Sequence, residues 1–76
     1  RGDRAQAAEA FEQATRLAPD FADAWNNLAQ VRFEQQRWDE ATRAIERAVN
    51  LGGPRAERYR ELQRQVQSRQ PAAPPS

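Results

Sequence analysis

Seventy-six residues without a single cysteine or histidine allow one small domain at most, and they remove disulfides, thiolate metal sites and the commonest general base. The 12 basic residues nearly balance the 11 acidic ones, so a net charge of +1 selects no class of partner. Every basic residue is arginine, which reads as a coding bias of a GC-rich bacterium and not as a mechanism; no apolar run reaches the ~20 residues of a membrane span.

The chain opens on Arg1-Gly2-Asp3-Arg4, with no apolar stretch of the signal-peptide kind. Residues 4–18 are expected to be helical, with Asp3 as N-cap and Gln6 at capping-box spacing. Ala7, Ala10, Phe11, Ala14 and Leu17 recur at helical spacing as one apolar stripe. Pro19 ends that helix, and Asp20 is expected to cap the next, with Asp23 in its first turn. The second helix is expected over Ala22 to Gln35, burying Trp25, Leu28, Ala29 and Phe33. After a short turn at Gln36-Arg37, a third runs from Trp38 to about Asn50 with Ala41, Ala44, Ile45, Ala48 and Val49 inward. Alanines at facing positions let two helices approach closely, and large side chains fill the holes that remain. Gly52-Gly53-Pro54 stops this helix and starts another. The fourth, about Arg55 to Gln70, has only Tyr59, Leu62 and Val66 as an apolar face, so it has one side packed and the rest in water. The Pro/Ala-rich residues 71–76 read as an extended, disordered linker or terminus.

These elements repeat. Ala7 and Ala41, Phe11 and Ile45, Ala14 and Ala48, Leu17 and Leu51, Trp25 and Tyr59, and Leu28 and Leu62 all stand 34 residues apart. Trp25-Asn26-Asn27-Leu28-Ala29, Trp38-Asp39-Glu40-Ala41 and Ala48-Val49-Asn50-Leu51 together resemble a tetratricopeptide repeat. The resemblance implies an all-α antiparallel helix-turn-helix array, an α-solenoid fragment of about four helices. On it, residues 1–21 are the second helix of a preceding repeat and 22–55 one complete repeat. Residues 56–70 are a capping helix or the first helix of a following repeat. The chain then reads as a piece of something longer. Three positions depart from the family pattern. Arg32 replaces a tyrosine that packs between helices, so its guanidinium needs a carboxylate or an edge position. Gln36 replaces the turn glycine, so the turn is expected to differ or to be mildly strained. Gly53-Pro54 displaces the usual proline by one residue.

The resemblance implies protein–protein interaction, with the first helices of successive repeats lining a concave groove for an extended peptide or partner helix. The corresponding positions are Asn26, Asn27, Gln30, Phe33 and Glu34, then Arg60, Arg64 and Gln67. Asn27 matches the asparagine of a carboxylate clamp found in some family members, but Glu57 and Glu61 occupy the places of its basic residues, so no clamp is expected. The alternative is an oligomerisation or structural appendage of a larger bacterial enzyme or secretion component. In that reading Ala7, Ala10, Phe11 and Ala14 form the self-association face. Leaving even ~300 Å² of such a face bare forgoes about 7 kcal/mol of burial, comparable with the stability of so small a domain.

Other functions find less support in the residues. Arg1-Gly2-Asp3 spells an adhesion tripeptide, but a turn and cap account for it. Residues 55–70 hold five arginines against two glutamates, whereas residues 1–54 hold seven against nine acids. That asymmetry is the basis of a weaker alternative, nucleic-acid binding. The arginines surround the helix, however, and Glu57 and Glu61 sit at pairing distance from Arg60 and Arg64. The hydroxyls of Thr15, Thr42, Tyr59, Ser68 and Ser76 have no His or Lys to activate them, and Asp39-Glu40 reads as an ordinary acidic first turn. No enzyme activity, cofactor, metal or membrane insertion is expected. The compartment, cytoplasm or bacterial periplasm, is not written in the residues.

Overall fold

Alanine-rich helical spacing interrupted by Pro19, Gln36 and Gly52-Gly53 yields four helices in the computed structural model, which describes residues 3–69. They are α1 (Asp3–Leu17), α2 (Ala22–Glu34), α3 (Trp38–Leu51) and α4 (Ala56–Arg69). Each packs against the next, and α2 also touches α4, so α2 is the central element. The adhesion-like tripeptide and the Pro/Ala tail fall at least partly outside the described residues.

Small residues bring α2 and α3 together. Ala29, Ala41, Ala44 and Ala48 are buried at their contact, with Ile45 fully enclosed beside them. Tyr59, Leu62 and Val66 of α4 close the same core, and Trp25 and Phe33 pack at its edge. Trp38 meets Phe33 edge to face, ring centroids 5.6 Å apart. Ile45 of α3 and Leu62 of α4 therefore share one cluster, against which Trp25 of α2 packs.

The ends of the helices differ from expectation in two places. Asp3 belongs to the first turn of α1 instead of capping it. Asp20 lies one residue too early to cap α2; Phe21 holds the N-cap position with extended backbone and no side-chain hydrogen bond. The indole N–H of Trp25 instead ties this turn down by donating to the Pro19 carbonyl at 2.9 Å.

The turn after α2 is a Schellman motif. Arg37 N–H donates to Arg32 O at 2.8 Å and Gln36 N–H to Phe33 O at 3.0 Å, with Gln36 at φ 63°. A left-handed residue is required there, so the strain expected from the missing glycine is present. Gly52 (φ 70°) and Gly53 (φ 99°) supply the same freedom after α3 without that cost.

Arg32 has found the carboxylates its position demands. Its side chain is only 12% exposed and pairs with Glu12 of α1 and, at 3.3 Å, with Glu40 of α3, while Gln35 Oε1 accepts a further hydrogen bond at 3.0 Å. One guanidinium thus braces three helices.

The stripe expected on α1 is rotated. Ala8 and Thr15 are its buried residues, Ala7, Phe11 and Ala14 are half-buried, Ala10 is exposed and Leu17 is 84% exposed. Thr15 tolerates burial because its hydroxyl donates to Glu12 O at 2.8 Å. Among the described helices α1 has one neighbour, α2, and the side of α1 turned toward it differs from the side with most alanines.

Candidate functional site

The faces of α2 and α4 that do not enter the core meet along a shallow groove. A single acid fixes the distance between its walls. Asp23, in the first turn of α2, accepts a hydrogen bond from Tyr59 Oη at 2.5 Å and one from Arg55 Nη1 at 2.9 Å. Negative charge is favoured at that helix end, so the tie joins the start of α4 to the start of α2. Tyr59 is 3% exposed. Burial, then the Asp23 hydrogen bond and charge, push its hydroxyl above the ordinary tyrosine value.

Between the walls lies a cavity of about 420 Å³ lined by Asn26 and Gln30 from α2 and Arg58, Glu61, Leu62 and Gln65 from α4. Asn26 Oδ1 is buried and accepts no hydrogen bond among the described residues. An unsatisfied buried amide oxygen costs free energy unless a ligand or water donates to it. Gln30 Nε2 donates to Glu34 Oε2 at 3.2 Å. Arg64 donates to Glu61 at 2.5 Å and holds that carboxyl below the usual glutamate range.

The eight groove positions named from sequence are distributed unevenly. Asn26 and Gln30 line the cavity. At 100° per residue, Phe33 and Glu34 continue their side of α2 one turn on, and Asn27 stands at the exposed edge. Phe33 is engaged with Trp38, and Glu34 pairs with Arg4 Nε at 3.6 Å. Arg60, Arg64 and Gln67 stand on the far side of α4 from the cavity. Arg60 pairs with Glu57 at 3.9 Å, as Arg64 does with Glu61. The wall on α4 is instead Arg58, Glu61 and Gln65, which the sequence reading missed. The apolar triplet Tyr59, Leu62 and Val66 carries the signal that locates it, because the wall must flank that triplet on the side toward α2.

Among the described residues no three of His, Cys, Asp and Glu stand together as metal ligands would. No described helix is long and apolar enough to cross a membrane.

The sequence profile of the tetratricopeptide repeat family matches residues 1–66. The chain is 45% identical over 60 residues to mouse tetratricopeptide repeat protein 36, an alignment covering 79% of this chain and 32% of the relative. The chain thus spans about a third of that protein's length. The relative is murine, so the bacterial origin read from the arginine bias gains no support from it. No solved structure matches the chain at a significant level.

Proposed function

Because the chain belongs to the tetratricopeptide repeat family, whose repeats are non-catalytic scaffolds for protein–protein interaction, we propose that the α2–α4 groove receives an extended segment of a protein partner. Within this reading residues 22–55 are the complete repeat, residues 1–21 with α1 are the second helix of a preceding one, and residues 56–70 are a capping helix or the first helix of a following repeat. The observation that carries the proposal is a cavity rimmed by side-chain amides and charges, with Asn26, whose Oδ1 is buried and unpaired, among its lining residues. Once the Asn26 amide turns toward the cavity, a backbone N–H of an extended peptide is a donor its oxygen can accept from. Arg58 and Gln65 on the opposite wall then meet the peptide's carbonyls or an acidic side chain.

The test starts from a random-peptide phage selection on the wild-type chain. Calorimetry of the selected peptide follows. Asn26→Ala with Gln30→Ala is expected to weaken binding about tenfold or more, and Arg58→Ala to weaken it less. Binding that survives all three changes would remove the groove from the reading.

A second reading is favoured by the exposure of Leu17 and of Phe21, which is 56% exposed, beside the half-open alanine face of α1. That face, including Ala7, Ala10, Phe11 and Ala14, would pair two copies of the chain. Light scattering across a hundredfold concentration range checks it, and a monomer throughout rejects it.

A further inference from the structure

On the opposite side of α2 from the groove, α1 and α3 do not touch, and the gap between them holds a cavity of about 560 Å³. Its floor is apolar: Trp25 and Leu28 of α2, with Ala44 of α3 beside them. One end is satisfied in charge, since Arg32 meets Glu12 and Glu40 there. The other end is not. Arg43 and Arg47, one turn apart on α3, have no carboxylate partner among the described residues, as Arg16, Arg58 and Arg69 have none, whereas Arg4, Arg32, Arg37, Arg55, Arg60 and Arg64 each have one. Glu46 on the same rim offsets only one of the two charges.

Arg47 is also held in place. Its guanidinium carbon lies 5.0 Å above the centre of the Trp25 ring, and that ring is itself fixed by its hydrogen bond to Pro19. A guanidinium stacked on an indole keeps its N–H edge free, in plane and oriented for a two-point contact with a carboxylate. The α3 wall from Glu40 to Asn50 is about 15 Å long at the helical rise, a length that suits about four extended residues better than a small molecule.

We propose that this cleft is a second docking site, for an extended acidic peptide in which a carboxylate side chain is flanked by bulky apolar ones. The carboxylate meets Arg47 and Arg43, and a neighbouring apolar side chain lies against the half-buried Trp25, the floor residue with surface left to cover. The site is independent of the α2–α4 groove, from which α2 separates it.

The probe is the acetylated, amidated peptide Ser-Leu-Glu-Phe-Ser, titrated into the ¹⁵N-labelled chain while the indole N–H signals of Trp25 and Trp38 are followed. A saturable movement of the Trp25 signal with little change at Trp38 is expected. Changing the peptide's Glu to Gln should weaken binding about fivefold, as should raising the salt well above physiological strength. Arg47→Lys, which retains charge but loses the planar fork, should also weaken it, and Arg43→Gln with Arg47→Gln should abolish it. Both arginines are exposed, so the variants keep the fold, and circular dichroism verifies that. A Trp25 signal that stays still at millimolar peptide overturns the proposal. So does equal binding of the Gln peptide. Binding lost on Asn26→Ala with Gln30→Ala but kept in the arginine variants would assign the peptide to the α2–α4 groove and leave that reading standing without this one.

Discussion

Gln36→Gly should stabilise the protein. Gln36 is the left-handed residue of the turn between α2 and α3, at φ 63°. A side chain in that conformation costs roughly 1–2 kcal/mol through the approach of Cβ to the backbone. Glycine removes that term but loses about 0.5–1 kcal/mol more backbone entropy on folding. The difference is a gain of about 0.5–1 kcal/mol. Little is lost with the side chain, because Gln36 is exposed and its hydrogen bond to Phe33 O is made by the backbone N–H. In a domain of this size that gain raises the Tm by roughly 3–6 °C. Thermal unfolding followed by circular dichroism, with Gln36→Ala as the control that keeps the left-handed cost, measures it. If Gln36→Gly melts at or below the temperature of Gln36→Ala, the backbone there is not strained and the Schellman reading of the turn is mistaken.

How far the sequence could be read depended on how many neighbours each helix has. For α3 and α4 a single apolar stripe sufficed: Ala41, Ala44, Ile45 and Ala48, and then Tyr59, Leu62 and Val66, are all buried as the helical spacing predicts. Central α2 packs against α1, α3 and α4, so Ala24 and Val31 are buried as well as Leu28 and Ala29, and no one stripe describes it. On α1 the alanines outnumber the residues that the one neighbour covers, and the pattern alone selected Ala10 and Leu17 where packing selected Ala8 and Thr15. The demand for a carboxylate at Arg32 was legible, because a guanidinium cannot be enclosed unpaired. Which acids answer it was not, since Glu12 lies 20 residues away in sequence. The same limit applies to the candidate site. Asn26 and Gln30 follow from repeat register, but the α4 wall depends on how α4 is rotated, and a hydrogen bond from Tyr59 to Asp23, 36 residues away, helps to fix that rotation.

That brace and that tie make two further predictions. Arg32→Ala and Glu12→Ala, singly and together, should give a coupling of about 1 kcal/mol in urea unfolding. A coupling near zero would mean that Glu12 does not brace α1 to α2. The tie is tested by alkali. The sequence has no lysine, no cysteine and one tyrosine, so Tyr59 is the one side chain that titrates between about pH 9 and pH 12 before any arginine. In the folded chain burial and Asp23 hold its proton more tightly than in the unfolded chain, so above about pH 10 the folded state binds more protons. The stability that this supplies is complete below the unfolded tyrosine value and is lost as the pH rises from there through the raised folded value. Wild type should therefore lose Tm steeply above about pH 10, while Tyr59→Phe starts about 1 kcal/mol less stable for want of the Asp23 hydrogen bond and then stays flat. Parallel curves for the two proteins would show that Tyr59 is equally free to ionise in both states, and with it that α4 is not tied to α2 through Asp23.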